Sequence, residues 1–97
     1  MRHYIILIFF LLTSSIVFSQ TAEEYFAAGN YKYDLEDYRG AIADYSKAIE
    51  INPNYADAYL NRGITKYGIE DYRGAIADYS KVIEINPNDA QAITSEV

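Results

Sequence analysis

Residues 37–54 read DYRGAIADYSKAIEINPN and residues 71–88 read DYRGAIADYSKVIEINPN. The chain therefore repeats itself at an offset of 34 residues, with Ala48 against Val82 as the one change. A self-match at that period is the mark of a stacked helical hairpin, a unit that leaves one face bare until its neighbour covers it. The expected fold class is all-α. Such an array works as a surface for partners, and the repeat names none.

Punctuation agrees with the period. Asp37 is placed to cap a helix starting at Tyr38, because its carboxylate meets free amides there. Tyr38, Ala41, Ile42, Tyr45, Ala48 and Ile49 then recur at spacings of three and four, the apolar stripe of an α-helix. Pro53 stops this helix, since the residue before a proline avoids the helical region. Asn54 is expected to cap a third helix beginning near Tyr55 or Ala56. Asp71 caps a fourth, carrying Tyr72, Ala75, Ile76, Tyr79, Val82 and Ile83, and Pro87 stops it. Asn88 is expected to cap a short fifth. Ahead of these, Thr21-Ala-Glu-Glu24 reads as a capping box that starts a first helix at Ala22, running to about Leu35. The turns inside each pair are two or three residues long, so each pair is an antiparallel hairpin.

The first twenty residues differ in kind. Met1, Arg2 and His3 make a short basic start, Tyr4 to Leu12 is unbroken apolar sequence, and Thr13, Ser14 and Ser15 precede Ile16, Val17 and Phe18. The stretch is short against the about 20 apolar residues of a membrane span. It fits a secretory signal peptide over residues 1–19, cut after Ser19 with Val17 and Ser19 in the small slots. The alternative is an uncleaved membrane anchor. No cysteine follows the apolar run, which excludes a lipid-modified N-terminal cysteine. The expected location is periplasmic or secreted. In residues 20–97, seven Lys and Arg against fourteen Asp and Glu leave a net charge of −7. That balance offers no electrostatic footprint for nucleic acid or anionic lipid. With no cysteine, the exported chain must hold together by packing alone.

These residues resemble the tetratricopeptide repeat, a helix–turn–helix unit of 34 residues. Tyr25 and Tyr59 fill its first aromatic slot, and Gly29 and Gly63 its small slot. Ala41 and Ala75 are the facing small residues, Tyr45 and Tyr79 the second aromatic slot, and Pro53 and Pro87 close each unit. The resemblance implies two hairpins, residues 22–55 and 56–89, in a right-handed stack, with residues 90–97 as a partial capping helix. Ala28 and Arg62 depart from the usual leucine, and Lys32 and Lys66 from the usual tyrosine. Charges in slots normally packed need partners or must snorkel. The expectation is that Arg62 faces Asp44 of the preceding hairpin and that Lys32 and Lys66 extend outward.

Residue chemistry argues against catalysis. The one histidine, His3, leaves with the signal peptide, so residues 20–97 lack His and Cys, the usual bases, nucleophiles and soft metal ligands. Ser46 and Ser80 lie mid-helix with no base nearby in sequence. The acidic pairs Glu23–Glu24, Glu36–Asp37 and Glu70–Asp71 could suggest a two-carboxylate or calcium site, but they sit at helix starts, where the helix dipole favours acids. No enzyme, metal or cofactor is expected.

One stripe carries a functional expectation. Phe26, Asn30 and Tyr33 recur at four and three on the first helix, and Leu60, Ile64 and Tyr67 repeat them on the third, with Asn61 alongside. The resemblance implies that this side lines a concave groove for an extended peptide or a partner helix. The competing reading is that these residues pack on the neighbouring hairpin. Phe26 and Leu60 stand where one branch of the family places lysines that grip a C-terminal carboxylate, and Glu23 and Asp57 are acidic, so that clamp is not expected. The sequence thus reads as an exported protein-interaction module for a protein or peptide partner. The alternative is a truncated piece of a longer array that associates end to end, since the pattern fades after Ala90 and Ala92.

Overall fold

The computed structural model describes residues 19–88. The expected leader, apart from Ser19, and the expected capping stub at 90–97 lie outside those residues. Four helices follow one another: α1 (Ala22–Asp34), α2 (Tyr38–Ile51), α3 (Ala56–Gly68) and α4 (Tyr72–Ile85). Among the described residues there is no strand. The architecture is two helical hairpins, α1–α2 and α3–α4, stacked through α2 against α3.

The helix ends follow the residues that mark them. Thr21 Oγ1 accepts the Glu24 amide at 3.1 Å, and its hydroxyl donates to Glu24 Oε1 at 3.3 Å. Asp37 and Asp71 cap α2 and α4 by accepting the amides of Gly40 and Gly74 at 3.1 and 3.0 Å. Asn52 and Asn86, the residues before the prolines, leave the helical region and end their helices.

Asn54 does not cap α3, contrary to expectation. Asn52 Oδ1 accepts the Asn54 amide at 3.1 Å, which folds the Asn52–Tyr55 turn on itself and leaves Tyr55 at the cap position with no side-chain bond. The local asparagine turn has won over the helix cap. Helical backbone likewise resumes at Pro87, so Asn88 lies inside a turn of helix rather than ahead of one.

The turns inside the hairpins hold a feature the pattern did not announce. Glu36 and Glu70 adopt left-handed backbone, with φ of 62° and 68°. The amides of Asp37 and Asp71 then reach back to the carbonyls of Lys32 and Lys66, both at 2.8 Å. This closes α1 and α3 with the bonding that usually recruits glycine. Glutamate there costs about 1 kcal/mol in backbone strain.

The core is small and built of alanine and tyrosine. Ala22, Ala41, Tyr45, Ala48, Ala58, Ala75 and Val82 are buried, and Ala22, Ala48 and Ala58 meet where the hairpins join. The nearest atoms to a Cβ placed at Gly29 or Gly63 are ring carbons of Tyr45 or Tyr79. The small slot therefore seats an aromatic ring, where Ala41 and Ala75 were expected to be the facing contact.

Near-identical sequence takes two environments. Ile42 and Ile49 on α2 are half-buried, because α3 packs there. Their copies on α4, Ile76 and Ile83, are 64% and 51% exposed.

Candidate partner-binding groove

α1 and α3 lie side by side, and the furrow between them has a floor of amides. The Tyr45 hydroxyl donates to Asn30 Oδ1 at 2.6 Å, and Asn61 Nδ2 donates to the same oxygen at 2.9 Å. Asn30 comes from α1, Tyr45 from α2 and Asn61 from α3, so one oxygen ties together three helices and both hairpins. Tyr33, Asp34 and Ile64 complete a groove of about 290 Å³. Among the described residues, the side-chain Nδ2 of Asn30 and Oδ1 of Asn61 have no protein partner and remain for a ligand, a donor and an acceptor of the kind that pairs with peptide backbone.

Of the seven residues expected at a binding face, Asn30, Tyr33, Asn61 and Ile64 line this groove. Phe26 packs instead, its ring centroid 5.9 Å from Tyr45 and 5.1 Å from Tyr55, against the alanine core. Leu60 is half-buried and does not line the groove. Tyr67 is exposed and leans on Tyr72 at 5.2 Å, as Tyr33 leans on Tyr38 at 5.3 Å. The sequence reading missed Asp34, which follows Asn30 by one turn of α1. It also assigned Tyr45 to packing alone, although its hydroxyl reaches the groove floor.

The departures from the repeat pattern also find their partners here, and not those expected. Arg62 grips Asp78 of its own hairpin with two bonds, Nε at 2.9 Å and Nη2 at 2.7 Å, and donates from Nη1 to Ser46 Oγ of the preceding hairpin at 3.0 Å. It does not face Asp44. Lys66 does not extend outward either; its ammonium lies 3.2 Å from Asp78. Lys32 turns to Asp44 at 2.9 Å. The reason is spacing. Lys66 follows Arg62 by one helical turn, so both reach the same carboxylate on the helix that returns beside them. In the first hairpin Ala28 takes the arginine slot, and Asp44 is left with the lysine. Asp44 Oδ2 is shut off from water, and Lys32 answers it by charge rather than through an aligned hydrogen bond.

Burial raises the pKa of the Tyr45, Tyr55 and Tyr79 hydroxyls above the ordinary value. At Tyr45 the negative charge of Asp34 adds to burial, and the neighbouring Asn61 amide opposes both. The fold thus favours the neutral phenol. The stability this contributes is complete below the unfolded pKa of about 10 and is lost as pH rises through the higher folded values. Thermal melts should therefore fall in midpoint above about pH 10. A tyrosinate absorbance titration should show these three rings ionising above the ordinary tyrosine value of about 10.

Among the described residues, no group of three or more His, Asp or Glu side chains is placed to hold a metal ion. No helix there is long and apolar enough to cross a membrane.

Comparison with known proteins agrees with the geometry. A family model described as TPR repeat matches residues 29–70, and one described as Tetratricopeptide repeat matches residues 56–89. No curated protein matches the chain. Two crystal structures of MamA superimpose with TM-scores of 0.69 and 0.68, each at 33% sequence identity over 69% of this chain. The alignment covers 39% and 37% of those two chains, so this chain spans less than half of their length. Across residues 29–89 the chain is built of tetratricopeptide repeats.

Proposed function

We propose that residues 20–97 form an exported protein-interaction module that holds an extended peptide or a partner helix in the groove between α1 and α3. The observation that carries this reading is the groove itself. Two hairpins meet on one amide oxygen, and Tyr33 and Ile64 line the same groove with 37% and 41% of their surface exposed. The module has no chemistry of its own and acts by bringing partners together. Export rests on the basic start and apolar run, followed closely by the capping box at Thr21. N-terminal mass analysis of protein from the native host should find Gln20 first; a full-length cytoplasmic product would refute export.

End-to-end association is the second reading, and the exposed Tyr72, Ile76 and Ile83 on α4 favour it. The residues of α1 weigh against it. To stack as α3 stacks on α2, the α1 of a second copy would place Glu24 in the slot of the fully buried Ala58. It would also place Tyr31 in the slot of the fully buried Thr65. A carboxylate buried without a partner is costly, and the larger ring overpacks.

The test is a pull-down with the purified chain from its own cell envelope, followed by affinity measurements on the partner. Tyr33→Ala should weaken binding by about thirtyfold, the size of an aromatic anchor of about 2 kcal/mol, and Ile64→Ala, across the groove, by a smaller factor. Helicity by circular dichroism should not change. Unchanged affinity in both variants would move the site elsewhere.

A further inference from the structure

We propose that the groove between α1 and α3 selects an extended segment carrying a cationic side chain, seated at the end of the groove where Asp34 meets Tyr33. This deepens the interaction-module reading and rests on it. The argument begins with where the acids stand. Glu23 and Asp57 occupy the first turns of α1 and α3, where a negative charge stabilises the helix. They need no other explanation. Asp34 is the opposite case. It is the last residue of α1, where the helix end is itself negative and a carboxylate is disfavoured. In the second hairpin the same slot holds Gly68. Asp34 is exposed and, among the described residues, makes no ion pair and no side-chain hydrogen bond. Nothing in the fold uses it, yet it lines the groove.

The surroundings suit a cation and no other charge. None of the six residues lining the groove is basic. The cations on α1 and α3 are already held, Lys32 by Asp44 and both Arg62 and Lys66 by Asp78. No arginine or lysine of these helices is left over to meet an acidic ligand. Asp34 is close enough to Tyr45 for its charge to act on that hydroxyl. An ammonium or guanidinium beside Asp34 would therefore gain a carboxylate in a groove that the Tyr33 ring also lines. The donor and acceptor left on Asn30 and Asn61 would take the backbone of the same segment, one turn of α1 away.

The test uses the full chain and two capped peptides, one of alternating arginine and leucine, the other of alternating glutamate and leucine. Both are titrated into isotopically labelled protein and followed by NMR. The arginine peptide should shift the side-chain amide signals of Asn30 and Asn61 and the methyl signals of Ile64, and less so at high salt. The glutamate peptide should leave them in place. Asp34→Asn should weaken the arginine peptide about fivefold. The variant should fold at least as well as the parent, because it removes a charge opposed to the helix dipole. Equal or tighter binding of the glutamate peptide would overturn the proposal. So would an unchanged affinity in Asp34→Asn, shifts confined to residues away from the groove, or no shift with either peptide. Those failures leave the interaction-module reading standing if an envelope partner still loses affinity with Tyr33→Ala. That reading fails separately if such a partner ignores the groove substitutions.

Discussion

Asp78→Ala should destabilise the protein by about 3 kcal/mol, while Asp44→Ala, at the same place in the other repeat, should cost about 1 kcal/mol or less. The helices carrying the two aspartates differ only at Ala48 and Val82, so local sequence predicts equal effects. The difference lies in what faces each one. Asp78 is 3% exposed and answers two cations, Arg62 through a two-pronged contact and Lys66. Removing it strands both charges against a nearly closed surface. It also loosens the guanidinium that reaches across to Ser46, a bond tying the second hairpin to the first. Asp44 answers Lys32 alone, and the lysine side chain is 41% exposed, so its ammonium can return to water when the carboxylate goes. Chemical denaturation of both variants measures the gap. Equal losses would mean that the arginine adds nothing. A smaller loss in Asp78→Ala than in Asp44→Ala would contradict the pairing outright.

That contrast shows which parts of the structure the sequence carried in plain view. The four described helices, their hairpin turns and the helix starts at Thr21, Asp37 and Asp71 are local matters. Each is decided by residues within one turn of each other, and each is legible. Asn54 failed as a cap because the Asn52 side chain folds the turn on itself and leaves Tyr55 at the cap position, and two nearby asparagines give no ranking on paper. The ion pairs failed for a longer-range reason. Arg62 can reach a carboxylate on either neighbouring helix, and only the packing distance between helices selects Asp78. Four of the six residues lining the groove were visible in the sequence, Asn30, Tyr33 and Ile64 on the stripe of α1 and α3 and Asn61 alongside it. Phe26 lies on the same stripe but nearer the hairpin junction, where Tyr55 and the alanines cover it. No periodicity separates the covered part of a stripe from the open part. Asp34 was overlooked because the stripe was read for apolar and aromatic residues. The signal that could have found it was its sign: an acid at the C-terminal end of a helix works against that helix.

Gly29→Leu should be the most damaging change to the core, costing about 3 kcal/mol, with Gly63→Leu costing roughly half as much. A Cβ at Gly29 would lie 2.6 Å and 2.7 Å from two ring carbons of Tyr45. These are mid-ring atoms, so a small swing of a flexible tip cannot relieve the clash. Tyr45 is also fixed from every side: it is 1% exposed, and its hydroxyl is tied to Asn30. Displacing the ring breaks the bond that holds the groove floor, and Gly29→Leu should therefore impair partner binding along with stability. At Gly63 the corresponding contacts with Tyr79 are 2.8 Å and 3.0 Å. Tyr79 is only half-buried, on the last helix described, and its ring has room to yield. Gly68→Ala is the control. It is helical, no atom lies within 4 Å of its Cβ position, and alanine is the better helix former by about 1 kcal/mol. A domain of this size shifts its melting temperature by roughly 4–8 °C for each kcal/mol. The order of midpoints should run Gly68→Ala at or above the parent, then Gly63→Leu, then Gly29→Leu far below. If Gly29→Leu melts with the parent, Tyr45 does not sit in the glycine slot, and the groove floor built on its hydroxyl is misplaced with it.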